Sequence, residues 1–246
     1  MQDQGIRRLR LLVHHLCPYA QRALYTAAFK SAPLEIVEVA LDRKPEILTT
    51  NSPLGKVPTL ILDFHSGRQV NISESKEVAD FIDSLPGPAL YPRTPQGYIC
   101  PLSKALIDMH VKLSIDPLPP FFFKLMRKTA TPTDIRRARK MLDIIDKHYV
   151  KDGKFFMHSI LGDNKLTMAD VLLYPFAERF FAYCTTTFAV LNTAPVPGLQ
   201  KWFETMSAFP WIQQYRASSQ RLIKVQKLYE SGQFRGLTLP LTTYDT

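Results

Sequence analysis

With 246 residues, 46% hydrophobic and 22% charged, the chain has ordinary globular usage. That excludes a disordered chain, a collagen-like fibre and a disulfide-built miniprotein. No stretch approaches the ~18 apolar residues of a membrane helix, and Leu9–Val13, broken by Arg10, is too short for a secretory signal.

Three cysteines, Cys17, Cys100 and Cys184, are odd in number and widely spaced, which fits a reducing compartment and predicts a cytoplasmic protein. The formal charge of +9 is uneven: residues 1–84 carry ten Lys/Arg and ten Asp/Glu, so the whole excess lies beyond them. Its densest stretch, 124–154, holds ten basic and four acidic residues. It reads as a solvated helical face or as a surface attracting anions. No zinc-ligand spacing, RNA-binding signature or basic-leucine pattern accompanies it, so no nucleic-acid partner is predicted, and a membrane partner is the lesser reading.

In chain order, Leu9–Val13 reads as a strand. Ala20, Ala23, Leu24, Ala27 and Ala28 then form one helical stripe over 18–30. A second strand follows at 35–40 and a short helix at 44–50. Strands 59–63 and 69–72 flank the hairpin-like His65-Ser66-Gly67-Arg68, and a helix spans 74–84. The order β-α-β-α-β-β-α predicts a small α/β domain over 1–84. Four prolines in residues 85–95 mark a linker, taken as 85–97. Beyond it, 98–246 predicts an all-helical domain, with helices over 99–115, 133–149, 167–185, 198–209 and 219–229. A breaker is expected at 116–120 and a polar tail over about the last fifteen residues. Thr167-Met-Ala-Asp170 resembles a capping box with Asp in place of Glu or Gln.

Cys17-Pro18 falls between the first strand and first helix, and proline at the first helical position places Cys17 near the N-cap. Backbone N–H groups and the helix dipole favour a thiolate there, with Arg22 one turn further in as an extra cation. Ala20 stands where a resolving cysteine would be, so a disulfide on Cys17 must be cleared by an external thiol. Lys56-Val57-Pro58-Thr59 enters the third strand. A proline there admits a cis bond, which would turn the Val57 backbone outward to pair with an extended peptide. At Glu74-Ser75, helix N–H groups and the Ser75 hydroxyl suit a carboxylate, and Glu74 suits an ammonium. Together these match a small zwitterionic peptide bearing a thiol. His14 and His15 read as strand-end packing or, less simply, as a base for the thiol. Cys100 and Cys184, on predicted helices, read as core, and Trp202, Phe203, Trp211 and Phe121–Phe123 as core or interface.

Cys17-Pro18-Tyr19-Ala20, Lys44-Pro45-Glu46, Lys56-Val57-Pro58, Glu74-Ser75 and Tyr174-Pro-Phe-Ala-Glu-Arg179 stand in the order and spacing of the cytosolic glutathione transferases. The chain resembles the omega class most, over nearly all of residues 9–230. The resemblance implies a thioredoxin-like N-terminal domain, an all-α C-terminal domain and a homodimer. It implies glutathione as co-substrate held by Lys44, Val57, Glu74 and Ser75, with Cys17 forming the mixed disulfide. No metal or nucleotide is implied. The family's activities would be thiol transfer and dehydroascorbate reduction, with weak conjugation to a small electrophile. Tyr19, Arg179 and Leu222 would border the second-substrate pocket. Two departures stand out: extra residues at 63–68, and Leu222 where many members place a tryptophan. The alternatives are a protein similar to the chloride intracellular channels, which share a Cys-Pro-Phe-type site, and a non-catalytic glutathione-binding protein of the same fold. The site, rather than the fold, separates these readings.

Overall fold

A computed structural model describes residues 5–184, 186–191 and 195–245. The chain forms two compact units. The first comprises Met1–Pro88 with Gln214–Arg221 and Phe234–Thr246, and the second Ala89–Gln213 with Leu222–Gln233.

The first unit is a thioredoxin-like α/β fold in the order expected: β1 (Ile6–Val13), α1 (Pro18–Lys30), β2 (Glu35–Glu38), α2 (Glu46–Asn51), β3 (Thr59–Phe64), β4 (Gln69–Ser73) and α3 (Ser75–Ser84). Its sheet runs β2-β1-β3-β4. β2 is parallel to β1, while β3 is antiparallel to both β1 and β4. The register Arg10↔Glu35 and Leu11↔Leu60 makes β1 an inner strand, as β3 is. Buried on both faces, β1 reads as the apolar run Leu11-Leu12-Val13 and lacks alternation. α1 packs on α3, and Leu24, Val78 and Ile82 close the core with Leu60 and Ile61. Each such side chain contributes roughly 1.5–3 kcal/mol of burial. Pro18 opens α1, and Ser31, left-handed at φ 49°, ends it.

The second unit is helical: α4 (Pro101–His110), α5 (Leu118–Met126), α6 (Pro132–Ile144), α7 (His158–Leu161), α8 (Met168–Tyr183), α9 (Pro197–Ser207), α10 (Pro210–Gln213) and most of α11 (Ser219–Glu230). α4 and α6 each run on into a π turn, at Val111–Ile115 and Ile145–Tyr149. α8 is apolar nearly all round and accordingly buried. The expected terminus of this helix at Thr185 lies outside the described residues.

The capping box on α8 is present, and it does more than cap. Asp170 accepts from the Thr167 N–H (2.9 Å) and hydroxyl (3.0 Å), from the Phe156 N–H (2.7 Å) and from Trp202 Nε1 (2.9 Å). Burial pushes its carboxyl up, against the downward pull of these four donors. One side chain thereby joins the α8 start, the 155–157 loop and α9.

Three expectations are corrected. The 116–120 stretch does not only break the chain: Pro117 caps α5, and Pro119 and Pro120 fit its first turn, where no N–H is needed. Cys100 and Cys184 are half-exposed, not core. Cys100 caps α4 directly before Pro101, and Cys184 caps the end of α8. The polar tail is ordered onto the first unit, with Leu237 and Tyr244 buried. In the basic stretch, Lys124 pairs with Asp134, Lys147 with Asp143, and Arg139 bonds the Val190 and Leu191 carbonyls.

Asp170→Ala is expected to cost on the order of 3 kcal/mol, because it strands several buried donors at once. A lower urea midpoint with unchanged m-value checks it; stability within 0.5 kcal/mol of the parent, again about the scale of one weak bond, contradicts it.

Candidate functional site

The β1–α1 turn places Cys17 at the N-cap of α1, in extended conformation (φ −86°, ψ 119°), its N–H bonded to the His14 carbonyl at 2.8 Å. The thiol is half-buried. Two residues on, Tyr19 lines a cleft of about 430 Å³ in the first unit, together with Ser52, Leu54, Lys56, Val57, Ser73, Glu74 and Ser75.

Val57 precedes a cis peptide bond to Pro58, and no described residue hydrogen-bonds to its backbone. Glu74 is the N-cap of α3 at φ 71°, ψ 131°, a region that costs a non-glycine residue on the order of 1–3 kcal/mol. Backbone strain of this kind gathers where ligands are held. Ser75 is buried at the first position of α3, and its Oγ accepts from the Arg22 guanidinium at 3.3 Å. Its own proton is left to donate. Arg22, buried one turn into α1, also lies 5.7 Å from the Tyr19 ring centre.

Three of the residues proposed from sequence, Val57, Glu74 and Ser75, thus converge with Tyr19 on one cleft. Lys44 does not line it but lies beside it. Its ammonium rests against Gly55, whose left-handed backbone (φ 57°) stands between the cleft residues Leu54 and Lys56. Arg179 and Leu222 belong to the second unit. Arg179 is buried, donates to the Pro175 carbonyl at 2.7 Å and lies 3.5 Å from Glu178. Leu222 is buried too, and its carbonyl accepts from the Tyr183 hydroxyl at 2.9 Å.

The histidines differ from each other. His14 is fully buried; its Nδ1 accepts from the Leu16 N–H (3.2 Å) and its Nε2 donates to the Thr238 carbonyl (3.0 Å). Those two bonds require the neutral ring, and burial lowers its pKa to about 4. His15 is half-buried, bonds Glu38 through both its N–H and Nδ1, and packs on Tyr215 at 5.4 Å.

Residues 16–85 match the family model for the glutathione S-transferase N-terminal domain, and residues 128–205 that for the C-terminal domain. The chain belongs to the glutathione S-transferase family. It is 27% identical over 213 residues to a probable glutathione transferase omega-2 of Caenorhabditis briggsae, covering 82% of this chain and 78% of that one. It is 27% identical over 228 residues to glutathione S-transferase L3 of Arabidopsis thaliana, covering 89% and 86%. Among solved structures, a rice glutathione transferase crystallised with glutathione has the same fold, with a TM-score of 0.74 at 21% identity, over 93% of this chain and 98% of that one. The omega-class likeness read from the sequence is borne out, and it extends to the L-type enzymes.

In this glutathione S-transferase, sequence reasoning did not single out Leu54, Lys56 or Ser73 as cleft residues. Only the adjacency of Lys56 to Val57 pointed to any of them. Cys100 carried the same Cys-Pro signal as Cys17, and the Ser103 hydroxyl and N–H lower its thiol pKa. Among the described residues, no helix is long and apolar enough to cross a membrane, and no three His, Cys, Asp or Glu side chains gather as a metal-ligand set.

A pH dependence follows from His14. Its folded pKa lies below the unfolded one, so the unfolded chain binds more protons between about pH 4 and 6.5. Stability is expected to fall by up to about 3 kcal/mol as pH drops through that window. Urea titrations at pH 7 and 4.5 read it, and His14→Gln should lose this part of the slope. An equal slope in the variant rules His14 out as its source.

Proposed function

We propose that this protein is an omega-type glutathione transferase working as a glutathione-dependent thiol transferase and dehydroascorbate reductase through a Cys17 mixed disulfide. The observation that carries the reading is the convergence of Val57, Glu74 and Ser75 on one cleft beside the helix start capped by Cys17. Glutathione is an extended peptide with a thiol, an ammonium and two carboxylates. The Val57 backbone suits its central peptide, as a strand partner would. The α3 N–H groups and the Ser75 hydroxyl suit the γ-glutamyl carboxylate, with Arg22 behind them adding positive charge. Glu74 suits the ammonium, and Lys44 the second carboxylate.

In thiol transfer, the Cys17 thiolate attacks the glutathione sulfur of a mixed disulfide between glutathione and a substrate thiol. The S–S bond breaks, a Cys17–glutathione disulfide forms and the substrate leaves as its thiolate, which takes a proton. A second glutathione attacks the mixed disulfide, releasing oxidised glutathione and restoring the Cys17 thiolate. With dehydroascorbate, the thiolate adds to a carbonyl carbon and the oxygen takes a proton. Glutathione then attacks the Cys17 sulfur, and the C–S electron pair leaves with the substrate as reduced ascorbate. The resulting mixed disulfide is cleared by a further glutathione. Conjugation is weak, because it needs a free glutathione thiolate held by a hydroxyl, whereas a cysteine captures glutathione covalently. Three cysteines, odd in number and widely spaced in the sequence, suit a cytosolic setting.

Intact mass after exposure to oxidised glutathione tests this, with Cys17→Ser alongside. One glutathionyl adduct on the parent, reversed by reductant and absent at that site in the variant, is expected. No adduct, or equal adducts on both, removes the Cys17 mechanism and moves a non-catalytic or channel-like relative ahead.

The expected homodimer has its own support. Leu102, Met109 and Leu113, 69%, 45% and 63% exposed, lie on one face of α4 and the turn after it, spaced by 7 and 4 residues. Such a stripe is costly to leave in water, and a second copy would cover it. Leu102→Glu with Leu113→Glu should shift the protein from dimer to monomer by sedimentation velocity. A dimer that survives both changes places the interface elsewhere.

A further inference from the structure

The C-terminal segment is seated on the turn that carries Cys17. The Leu237 carbonyl accepts from the Leu41 and Asp42 N–H groups at 2.7 and 3.3 Å, and the Thr238 carbonyl accepts from His14 Nε2 at 3.0 Å. The Tyr244 hydroxyl takes the Thr238 N–H at 2.8 Å, and Tyr244 itself is buried. Gly236, at φ 135°, lies so close to the loop after β2 that a Cβ there would meet the Leu41 oxygen and the Asp42 nitrogen at 2.7 Å. Asp245 pairs with Arg221 through both carboxylate oxygens, tying the segment's end to the start of α11.

These contacts lead to the site in two ways. His14, held by Thr238, passes the constraint on through its Nδ1 to the Leu16 N–H and through its carbonyl to the Cys17 N–H. Leu41 and Asp42, held by Leu237, lie three and two residues before Lys44. Around the His14 ring stand Glu38, whose Oε1 is 3.8 Å from Nδ1, Asp42 and His15.

We propose that Gly236–Tyr244 is a positioning clamp that fixes Cys17 through His14 and Lys44 through the Leu41–Asp42 backbone. The clamp acts through His14 and the Leu41–Asp42 backbone, lowering the freedom of the two segments that carry Cys17 and Lys44. It rests on the reading of Cys17 and Lys44 given above.

The test uses the full chain in a Cys100→Ser/Cys184→Ser background. The rate of Cys17 with 4,4′-dithiodipyridine is measured from pH 5 to 9, and the KM for glutathione in thiol transfer is measured beside it. Gly236→Ala wedges the segment off its seat, His14→Leu removes both ring bonds, and Tyr244→Phe is a milder change for use if either fails to fold. In folded variants, matched by far-UV circular dichroism, the Cys17 rate at pH 7 should fall about tenfold and its pH profile move upward. The KM for glutathione should rise several-fold. His14→Gln, which keeps one donor and one acceptor, should recover the parental rate to within about threefold. Folded variants whose rates, profile and KM stay within about twofold of the parent overturn the clamp, because a positioning loss of this kind is larger. The dithiodipyridine rate needs no glutathione, so a parent that reacts with the probe yet forms no glutathionyl adduct sinks the proposed function and still leaves the clamp measurable.

Discussion

A buried helix start carries backbone N–H groups that need acceptors, and the way each start finds them sorts this chain into scaffold and site. α8 and α6 supply their own, through Asp170 with Thr167 and Asp134 with Thr131. Both carboxylates are spent on the chain, and Lys124 together with the Thr131 donors holds that of Asp134 well below the usual range. α1 and α3 have no side-chain cap bond of this kind. The two are linked by Arg22, which grows from α1 and donates to Ser75, the first residue of α3. Two helix dipoles and one guanidinium therefore favour negative charge at the same end of the first unit. The proposed Cys17 thiolate on one start and the proposed ligand carboxylate at the other would answer the same electrostatic demand.

What was legible in the sequence was what repeats. The period of α1 and the apolar run of β1 marked the α/β unit, and Thr167-Met-Ala-Asp170 marked the start of α8. Val57, Glu74 and Ser75 were readable because each belongs to a short local pattern. Leu54 and Ser73 were not, since they meet only after the register Thr59↔Ser73 folds β4 back along β3. The π turns after α4 and α6 had no local signal either. At 116–120, proline was weighed as a breaker although the same residue favours a first turn, as α5 uses it.

The C-terminal segment shows a different limit. Its composition is polar, with threonines at 238, 242 and 243, and only Leu237 and Tyr244 are buried deeply. It is held by its own carbonyls at Leu237 and Thr238, groups every residue possesses and no pattern advertises. The side-chain half of that contact, His14, was visible but stood beside an equally prominent His15. The fold separates them: one ring is sealed and neutral between two fixed bonds, the other is half-exposed against Glu38 and Tyr215. Both follow β1 in the turn before α1 and both approach Glu38, so only the contacts made after folding tell them apart.

Cys17 and Cys100 make the last step. Each is followed by proline, each caps a helix of ten residues or more, and each is half-exposed. Local chemistry alone would rate them alike, and the Cys100 thiol does feel its own donors at Ser103. The difference lies in what surrounds the cap. Two residues from Cys17, Tyr19 lines one cleft with Val57, whose backbone no described residue bonds, a strained Glu74 and a Ser75 hydroxyl left to donate. Cys100 belongs to the second unit, and none of these groups does. A nucleophile is made by its helix, but a site is made by groups from several elements that match one ligand. That is why a cysteine and a proline were a weak signal here, and the same pair with Val-Pro and Glu-Ser at their spacings a strong one.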